Sequence, residues 1–398
     1  MNYTDRSALA VVLPAIRDEM HLSDVQLAGL GTAFLWSYAI FSPLAGYAAD
    51  RMSRSRLIVW SVLSWSIAAA ASGFTTSYPL LLCARVLLGF CESFYLPSAT
   101  ALLASSHGTG TRGTAMAMHS VGLNLGVVAG STLAGWLADR FGWRAGFIVL
   151  GIAGLLLAVV SSRVLREYSC GGPRDSKSAP ASPSIVSLLS IRSYWAVLAE
   201  VMLVATGIWT FFNWLPLYLR DTYHFSLGVA GFAGTFPLQA ATVIGLTCSG
   251  YLSDRLAQRS KRNRMLLQAI SFSLAGPFLL VFLFRPDFNL AMIGIFTFAL
   301  LRGAGQANDN PVLCDIVPSR LRSTAIGIMN TCASVAGGTA VLVTGVVKSQ
   351  FGLNSCFAFI SVAFLLAGLV LLLTYRFRVQ YDLDAVDPEP VNGQTCEP

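Results

Sequence analysis

Long apolar segments alternate with short polar gaps along almost the whole chain. Eleven segments are long enough to cross a bilayer as a helix, which takes about 20 apolar residues. Their predicted limits are 28–48, 57–74, 79–104, 115–137, 143–163, 195–217, 228–252, 266–284, 290–312, 324–347 and 353–375. The pattern therefore predicts an all-α integral membrane protein.

A twelfth and shorter apolar segment, 3–16, opens the chain. As a helix it would rise about 21 Å, less than the hydrocarbon core of about 30 Å. A charged pair, Asp5 and Arg6, stands at its very start. We therefore expect a first helix that is truncated at its N-terminus, by a misplaced start codon or by a natural truncation.

The basic residues are distributed unevenly among the gaps. If the gap after segment 28–48 is cytoplasmic, 18 of the 27 Lys and Arg residues fall in the cytoplasm, six on the opposite side and three inside spans. This bias is the positive-inside signal of membrane proteins. It predicts a multi-pass protein of the cell (inner) membrane, embedded in the lipid bilayer with both termini cytoplasmic.

The composition excludes the common soluble classes. Hydrophobic residues make up 55% of the 398. Charged residues make up 12%, about half the usual share of a soluble domain. The net charge of +7 comes from the basic gaps, so it indicates topology and not a nucleic-acid partner. No phosphate-binding loop, Ser-His-Asp array or metal-ligand spacing is visible, so we expect neither an enzyme nor a bound cofactor.

The longest internal gap divides the segments into two sets of six. It is rich in Gly, Pro and Ser, which is typical of a flexible linker. The predicted organisation is an N-terminal helix bundle at 1–164, a cytoplasmic linker at 165–192, a C-terminal helix bundle at 193–377 and a disordered cytoplasmic tail at 378–398.

The two halves share landmarks in the same order, 204 to 210 residues apart. The pairs are Gly46–Arg51 with Gly250–Arg255, Arg112–Ala115 with Arg322–Ala325, and Gly135 and Phe141-Gly142 with Gly345 and Phe351-Gly352. Parallel repeats of six helices, with a binding site between them near the midplane, are a known transporter design.

Ionisable side chains inside spans are the best candidates for function. Each costs at least about 2.5–3.5 kcal/mol at a helix centre unless it is paired or faces water. Arg85 and Glu92 stand seven residues apart, so they share one helix face about 10.5 Å apart along the axis. Asp5 and Arg6 bring further charges on the first helix.

Arginine and carboxylate side chains suit different tasks in such a site. The planar guanidinium forks of Arg6 and Arg85 match a substrate carboxylate with two hydrogen bonds. Asp5 and Glu92 can take up and release a proton. A substrate that competes for an arginine would free a carboxylate to bind a proton, which couples the two ligands. The structural alternative is a static ion pair, Arg6 with Glu92 or Arg85 with Asp5.

The predicted tenth span is also unusually polar. Arg302 and Asp309 are again seven residues apart, with Gln306 and Asn308 between them. They could form a second half-site or a gate at the cytoplasmic end.

The box Gly46-Tyr-Ala-Ala-Asp50-Arg51 resembles the signature that the major facilitator superfamily carries between its second and third helices. The superfamily pattern continues Gly-x-Arg-Arg; here Ser53 replaces the Gly, and Ser55 separates two arginines. The resemblance covers essentially the whole chain and implies a major facilitator fold of two six-helix bundles.

More narrowly, the chain resembles the anion:cation symporter branch of that superfamily. The residues concerned are Asn2-Tyr-Thr-Asp5-Arg6-Ser7, Leu13-Pro-Ala-Ile16, Trp36-x-Tyr38 and Arg85-Val-Leu-Leu-Gly-Phe-Cys-Glu92. One departure is Ser42, which stands before Pro43 where the branch usually has Gln.

The resemblance implies roles for individual residues. Symporters of the branch use the helix-one Asp and the helix-four Glu for proton coupling, here Asp5 and Glu92, and the neighbouring Arg for the anion. Tyr38 and Asn330 match positions that contact substrate in the branch. The alternatives are a buried aromatic and a core residue. Members of the superfamily usually act as monomers.

The repeated boxes are predicted to gate the cytoplasmic end. The residues concerned are Gly46, Asp50 and Arg51, with Asp254 and Arg255 in the second half. An Asp there can cap a neighbouring helix and pair with an arginine, and Gly inside a helix indicates close helix packing.

The expected function is proton-coupled symport of a small organic anion by alternating access, with the proton gradient as the energy source. Sugar acids are the substrate class that the resemblance implies. One alternative is a proton-antiport exporter of drugs or amphiphiles. The other is a non-transporting sensor or an inactive remnant.

Overall fold

The computed structural model of the chain describes residues 2–106, 112–165, 188–318 and 321–386. These residues form helices joined by short turns, with no strand among them.

The residues of the first half that the structure describes form seven helices. They are α1 (Asn2–Met20), α2 (Asp24–Arg51), α3 (Arg54–Ser72), α4 (Tyr78–Ser93), α5 (Tyr95–Ser106), α6 (Arg112–Phe141) and α7 (Trp143–Val164). Helix α5 continues the direction of α4, and the two share one candidate membrane span, Tyr78–Leu103.

The described residues of the second half repeat this order and add a short helix at the end. The helices are α8 (Arg192–Tyr223), α9 (Leu227–Ala257), α10 (Asn263–Ala275), a 3₁₀ helix (Gly276–Phe284), α11 (Phe288–Gln306), α12 (Asp309–Ile316), α13 (Arg322–Phe377) and α14 (Val379–Val386). Helix α13 contains a non-helical residue, Gly352, so it holds two spans in one 56-residue element.

The predicted all-α membrane fold is confirmed. Ten helices or helix pairs of the described chain are long and apolar enough to cross a membrane, and the bent α13 counts once among them. Each of the eleven predicted full-length spans lies on one of these helices. The predicted length of the first helix is wrong, because α1 has 19 residues and ends at Met20, not at residue 16. Those residues rise about 28 Å.

Helix boundaries follow from local chemistry at repeated positions. Ser23 caps α2 in a capping box with Gln26, and the Ser226 side chain accepts a hydrogen bond from the third residue of α9. Gly142 and Gly352 take φ of 83° and 74°, a backbone region that favours glycine. These two glycines were matched in the sequence repeat, and each separates two consecutive helices.

The packing repeats along with the sequence. In the first half α1 packs on α6, α2 on α4 and α3 on α7. The equivalent contacts in the second half are α8 on α13, α9 on α11 and α10 on α13. The halves meet through α1 with α8, α2 with α13 and α6 with α9. The molecule is therefore two similar helix bundles face to face.

Two predicted segments have different outcomes. Most of the predicted linker, residues 166–187, lies outside the described residues. The predicted disorder of the tail is wrong for residues 379–386, which form α14. That helix is held because the Asp382 carboxylate accepts a hydrogen bond from the Ser193 backbone N–H at 2.9 Å, and Leu383 is buried.

Polar contacts join the halves at one end of the molecule. We call it the closed end; it is formed by the last turns of α1, α6 and α8, the first turns of α2 and α9, and the part of α13 just before Gly352. The Arg17 guanidinium donates to both Asp221 oxygens at 3.1 and 3.2 Å, and Arg220 donates to Asp18 at 3.5 Å. Lys348 donates to Asp24 at 2.5 Å.

A carboxylate of one half also caps a helix of the other at the closed end. The two oxygens of Asp139 accept hydrogen bonds from the backbone N–H groups of Leu227 and Gly228, both at 2.9 Å. These are orphan donors in the first turn of α9, which a carboxylate stabilises both by hydrogen bonding and through the helix dipole.

Candidate functional site

Four charged side chains meet inside the first bundle, close to the face that it turns to the second. Asp5 and Arg6 come from the first turns of α1, and Arg85 and Glu92 from one face of α4. Their exposed fractions are 2%, 6%, 1% and 0%. We call these residues the central cluster. The sequence predicted all four, and the structure brings them together.

One ion pair of the cluster is closed. The Arg6 Nε donates to Glu92 Oε2 at 2.9 Å, and the Asn2 side chain donates to the same oxygen at 2.9 Å. Of the two pairings considered from the sequence, Arg6 with Glu92 is formed. No ion pair joins Arg85 to Asp5 within the described residues. The buried pair of Arg6 and Glu92 is costly to break, because a buried charge would be left without its partner.

Arg85 carries the least satisfied charge of the cluster. Its Nε and Nη1 groups are buried and have no hydrogen-bond partner, and neither has Glu92 Oε1 or Asp5 Oδ1. Its guanidinium lies 5.3 Å from the centre of the Phe34 ring. A guanidinium with unpaired N–H groups is a ready donor to an anionic ligand.

Aromatic rings surround the other arginine. The Arg6 guanidinium carbon lies 4.7 Å from the ring centres of Tyr3, Phe34 and Tyr38. The ring of Trp209, from α8 of the opposite half, lies 6.0 Å away. Such cation–π contacts favour a charged arginine away from water. Tyr38 therefore lies beside the central cluster, its contact with a substrate stays a prediction, and Trp209 links the cluster to the second bundle.

Asn330 is not joined to the cluster. It is exposed on α13, and no hydrogen bond, ion pair or ring contact among the described residues connects it to the four charges. On the same helix the Val335 carbonyl accepts a hydrogen bond from Trp36 of the other half at 3.4 Å.

The repeated boxes do not pack as predicted. A side chain added at Gly46 or Gly250 would meet nothing within 4 Å, so the expected close helix packing at these glycines is wrong for this conformation. Arg51 and Arg255 instead lie over the rings of Tyr47 and Tyr251, at 3.8 and 4.7 Å.

The two acidic residues of the boxes have separate outcomes. The Asp50 side chain lies outside the described part of the structure. Asp254 accepts a hydrogen bond from Arg264 at 3.0 Å, and Arg264 also donates to Asp315 at 3.1 Å. The second box thus contributes to a charge network at the end of α9, within its own bundle.

Two features were missed in the sequence. One is Glu200, a fully buried carboxylate in α8. It stands alone in an apolar segment, and only its rarity there could have drawn attention to it. The other is a repeat in which Arg17-Asp-Glu-Met-His-Leu-Ser23 recurs as Arg220-Asp-Thr-Tyr-His-Phe-Ser226. That repeat supplies the reciprocal ion pairs of the closed end, and a search between the halves at an offset of 203 would have found it.

Fold and site together define a polytopic helical membrane protein with two repeated bundles and a cluster of buried charges inside the first. A family model described as the Major Facilitator Superfamily matches residues 1–341 and, in an overlapping second match, 256–394. The chain belongs to the Major Facilitator Superfamily.

Curated relatives match along most of their length. A probable galactarate/D-glucarate transporter of Bacillus subtilis (strain 168) is 27% identical over 384 residues, covering 88% of this chain and 84% of the relative. A probable sulfoacetate transporter of Cupriavidus necator is 28% identical over 367 residues, covering 88% and 85%. A hexuronate transporter of Bacillus subtilis is 25% identical over 389 residues, covering 92% and 88%.

Solved structures show the same fold. A bacterial homologue of the human lysosomal transporter Spinster, in an inward-facing and occupied conformation, superposes with a TM-score of 0.73 at 21% identity. The match covers 97% of this chain and 94% of that one. These relatives and neighbours are transporters and not enzymes.

Proposed function

We propose that the chain is a secondary active transporter that takes up a small organic anion together with protons. The observation that carries the proposal is Arg85, a buried guanidinium with two unpartnered N–H positions beside two carboxylates. An anionic ligand supplies the acceptors that these groups lack. The relatives are named as transporters of galactarate and glucarate, sulfoacetate and hexuronate, and all these compounds are small organic acids.

The central cluster suggests how binding and proton uptake are coupled. A substrate carboxylate binds the free fork of Arg85 and competes with Glu92 for Arg6. Once Glu92 loses that partner, it is a buried carboxylate that is stabilised by taking up a proton. Substrate and proton then favour each other's binding by the same factor, which is the thermodynamic basis of symport.

The position of the closed end suggests which side of the membrane is closed in this conformation. That end lies opposite the basic gap that follows α2, and the distribution of basic residues assigns that gap to the cytoplasm. We infer that this conformation is closed to the outside of the cell (inner) membrane, with both termini cytoplasmic. Alternating access then requires the contacts of the closed end to break when the protein faces outward. We further propose that the monomer is the transporting unit and that the proton gradient is its only energy source.

The test is uptake into proteoliposomes under an imposed inward proton gradient. The substrates are labelled galactarate, glucuronate, gluconate and sulfoacetate. We expect gradient-driven accumulation of at least one, and its collapse when a protonophore is added. Arg85→Ala should abolish it, whereas Arg140→Ala, at an exposed arginine near the closed end, should leave it intact.

The negative outcomes separate the alternatives. Accumulation that survives the protonophore would overturn proton coupling but keep anion transport. A folded protein that takes up none of the four acids, yet expels amphiphilic cations when the gradient is reversed, would indicate the exporter.

A further inference from the structure

The second bundle contains its own buried polar cluster. Its members are Glu200 on α8, Gln268 on α10, Arg302 on α11 and Asp309 at the start of α12, and we call them the C-terminal cluster. Gln268 donates to Asp309 at 2.8 Å, and Arg302 donates to the Thr242 hydroxyl at 2.8 Å. The cluster lies within one bundle and shares no residue with the central cluster.

The C-terminal cluster resembles the central cluster in composition but not in register. Arg302 and Asp309 have the same seven-residue spacing as Arg85 and Glu92, whereas the offset of 210 that relates the two helices places Arg302 opposite Glu92. Tyr38, which lines the central cluster, falls opposite Thr242 at the offset of 204 that relates the two glycine boxes. Each bundle therefore contains a buried arginine with an acid seven residues after it, at different depths along the helix.

Glu200 distinguishes the C-terminal cluster. Its exposed fraction is 0%, and neither carboxylate oxygen has a hydrogen-bond partner. An ionised carboxylate in that condition would carry the full cost of leaving water, and a bound proton removes that cost. Asp309 begins α12, which packs on the helix of Glu200, and two like charges on packed helices repel each other.

We propose that Glu200 and Asp309 form a second proton-binding site, in which Glu200 holds the proton in this conformation. Asp309 is only partly buried, so it can pass the proton between Glu200 and water. Because neither Glu200 oxygen has a hydrogen-bond partner in this conformation, the transfer requires the two side chains to come into contact. The O–H bond of Glu200 then breaks, its electron pair stays on the Glu200 oxygen, and the proton goes to the Asp309 carboxylate. The proposal goes beyond the transport function, because it concerns proton binding and needs no substrate.

The surrounding groups favour one proton rather than a metal cation. Arg302 places a fixed positive charge beside Asp309 and leaves Glu200 as the neutral partner. Other titratable groups on the helices packed around the site are Tyr194 on α8, Cys332 on α13, Asp382 on α14 and Tyr3 on α1. Tyr194 donates to the Ala325 carbonyl and Asp382 is held by Ser193, so both have partners of their own.

Infrared difference spectroscopy of the purified protein in liposomes tests the proposal directly. At neutral pH, Glu200→Gln should remove the stretching band of one protonated carboxyl group from the wild-type spectrum. Asp309→Asn should leave that band in place, shifted in frequency. Glu19→Gln is the matched control, because Glu19 accepts hydrogen bonds from Trp143 and Arg144 at the surface and should contribute no such band.

Each other result contradicts the proposal. An unchanged carboxyl band in Glu200→Gln means that Glu200 is ionised. Loss of the band in Asp309→Asn puts the proton on Asp309. Failure of Glu200→Gln to fold also counts against it, since glutamine is the neutral mimic of a protonated glutamate. Sodium-dependent stabilisation of the wild type that Glu200→Gln abolishes would make the site a cation site.

Discussion

A buried guanidinium without hydrogen-bond partners is a destabilising feature unless something binds it. Each unsatisfied buried group costs on the order of 1–3 kcal/mol. Arg85 has two such positions, whereas Arg6 on the neighbouring helix is paired with Glu92 and surrounded by aromatic rings. The two arginines therefore differ in the donors that they offer a ligand. Arg85 has N–H groups without a partner, whereas Arg6 must first release Glu92.

Replacing Arg85 by lysine tests whether its shape matters as well as its charge. Arg85→Lys keeps the positive charge and loses the planar fork, so we expect the substrate Kd to rise about tenfold or more, equivalent to about 1.4 kcal/mol. Equilibrium binding to purified protein measures the change, with Arg140→Lys as the control. An unaltered Kd would indicate that Arg85 serves only to hold the helices.

Replacing Glu92 by glutamine separates coupling from binding. Glu92→Gln keeps the volume of the side chain and removes the proton that it could carry. We expect uphill accumulation to vanish while exchange of labelled for unlabelled substrate across the membrane continues. Glu19→Gln should retain both activities. Accumulation by Glu92→Gln against a gradient would remove Glu92 from the coupling mechanism.

The sequence predicted which residues form the central cluster but not how they are paired. A spacing of seven residues places Arg85 and Glu92 on one face of α4 whatever the tertiary structure. Which arginine reaches Glu92 depends on how α1 is set against α4, and Asn2 completes that contact. Glu200 escaped notice for a related reason: the other members of its cluster, Gln268, Arg302 and Asp309, lie on other helices.

Close contact between helices, and not charge, dominates the closed end at the scale of elements. A Cβ at Gly345 on α13 would lie 2.8 Å from the Asp24 carbonyl oxygen of α2. Its repeat partner Gly135 on α6 faces the Leu227 backbone of α9 in the same way. Gly135 and Gly345 thus mark the points where helices of the two bundles cross.

Adding a side chain at a crossing point should open the closed end. Overpacking costs typically about 1–3 kcal/mol, so Gly345→Val should shift the equilibrium toward the outward-open form by roughly 5- to 150-fold. The distance between spin labels at His21 and His224, exposed residues of the two halves, measures the shift. Gly122→Val, where an added Cβ meets nothing within 4 Å, should leave the distances alone.

Equal distance distributions in Gly345→Val and the wild type would show that the crossing does not control opening. The same pair of labels suits both variants, because His21 and His224 occupy equivalent positions just after α1 and α8.

The whole molecule has an approximate twofold axis, and the closed end obeys it. Arg17 of the first half pairs with Asp221 of the second, and Arg220 of the second pairs with Asp18 of the first. Sequence alone could predict the two bundles, because repeated landmarks specify a repeated fold. It could not predict which end is closed, because one sequence encodes both end states of a transporter.

The reciprocal ion pairs should tune the balance between these states only weakly. All four side chains are between 28% and 54% exposed, and pairs of this kind contribute about 0.2–1 kcal/mol. We expect Arg17→Asp to change the ratio of open to closed molecules by less than about fivefold. The distance between the labels at His21 and His224 measures that ratio. The swap Arg17→Asp with Asp221→Arg should restore the wild-type distribution. A singly substituted protein that opens as fully as Gly345→Val would contradict this ranking.

The hydrogen bonds of Asp139 make amide hydrogen exchange at the start of α9 a measure of how often the closed end opens. The Asp139 carboxylate protects the amide hydrogens of Leu227 and Gly228 only while the two bundles touch. Each excursion that separates them exposes both amides to water, so their rate of hydrogen–deuterium exchange follows the frequency of opening. A peptide covering the start of α9 should exchange faster in Asp139→Asn and slower when a ligand holds the closed end together. This exchange can be measured in the protein without spin labels and without a known substrate.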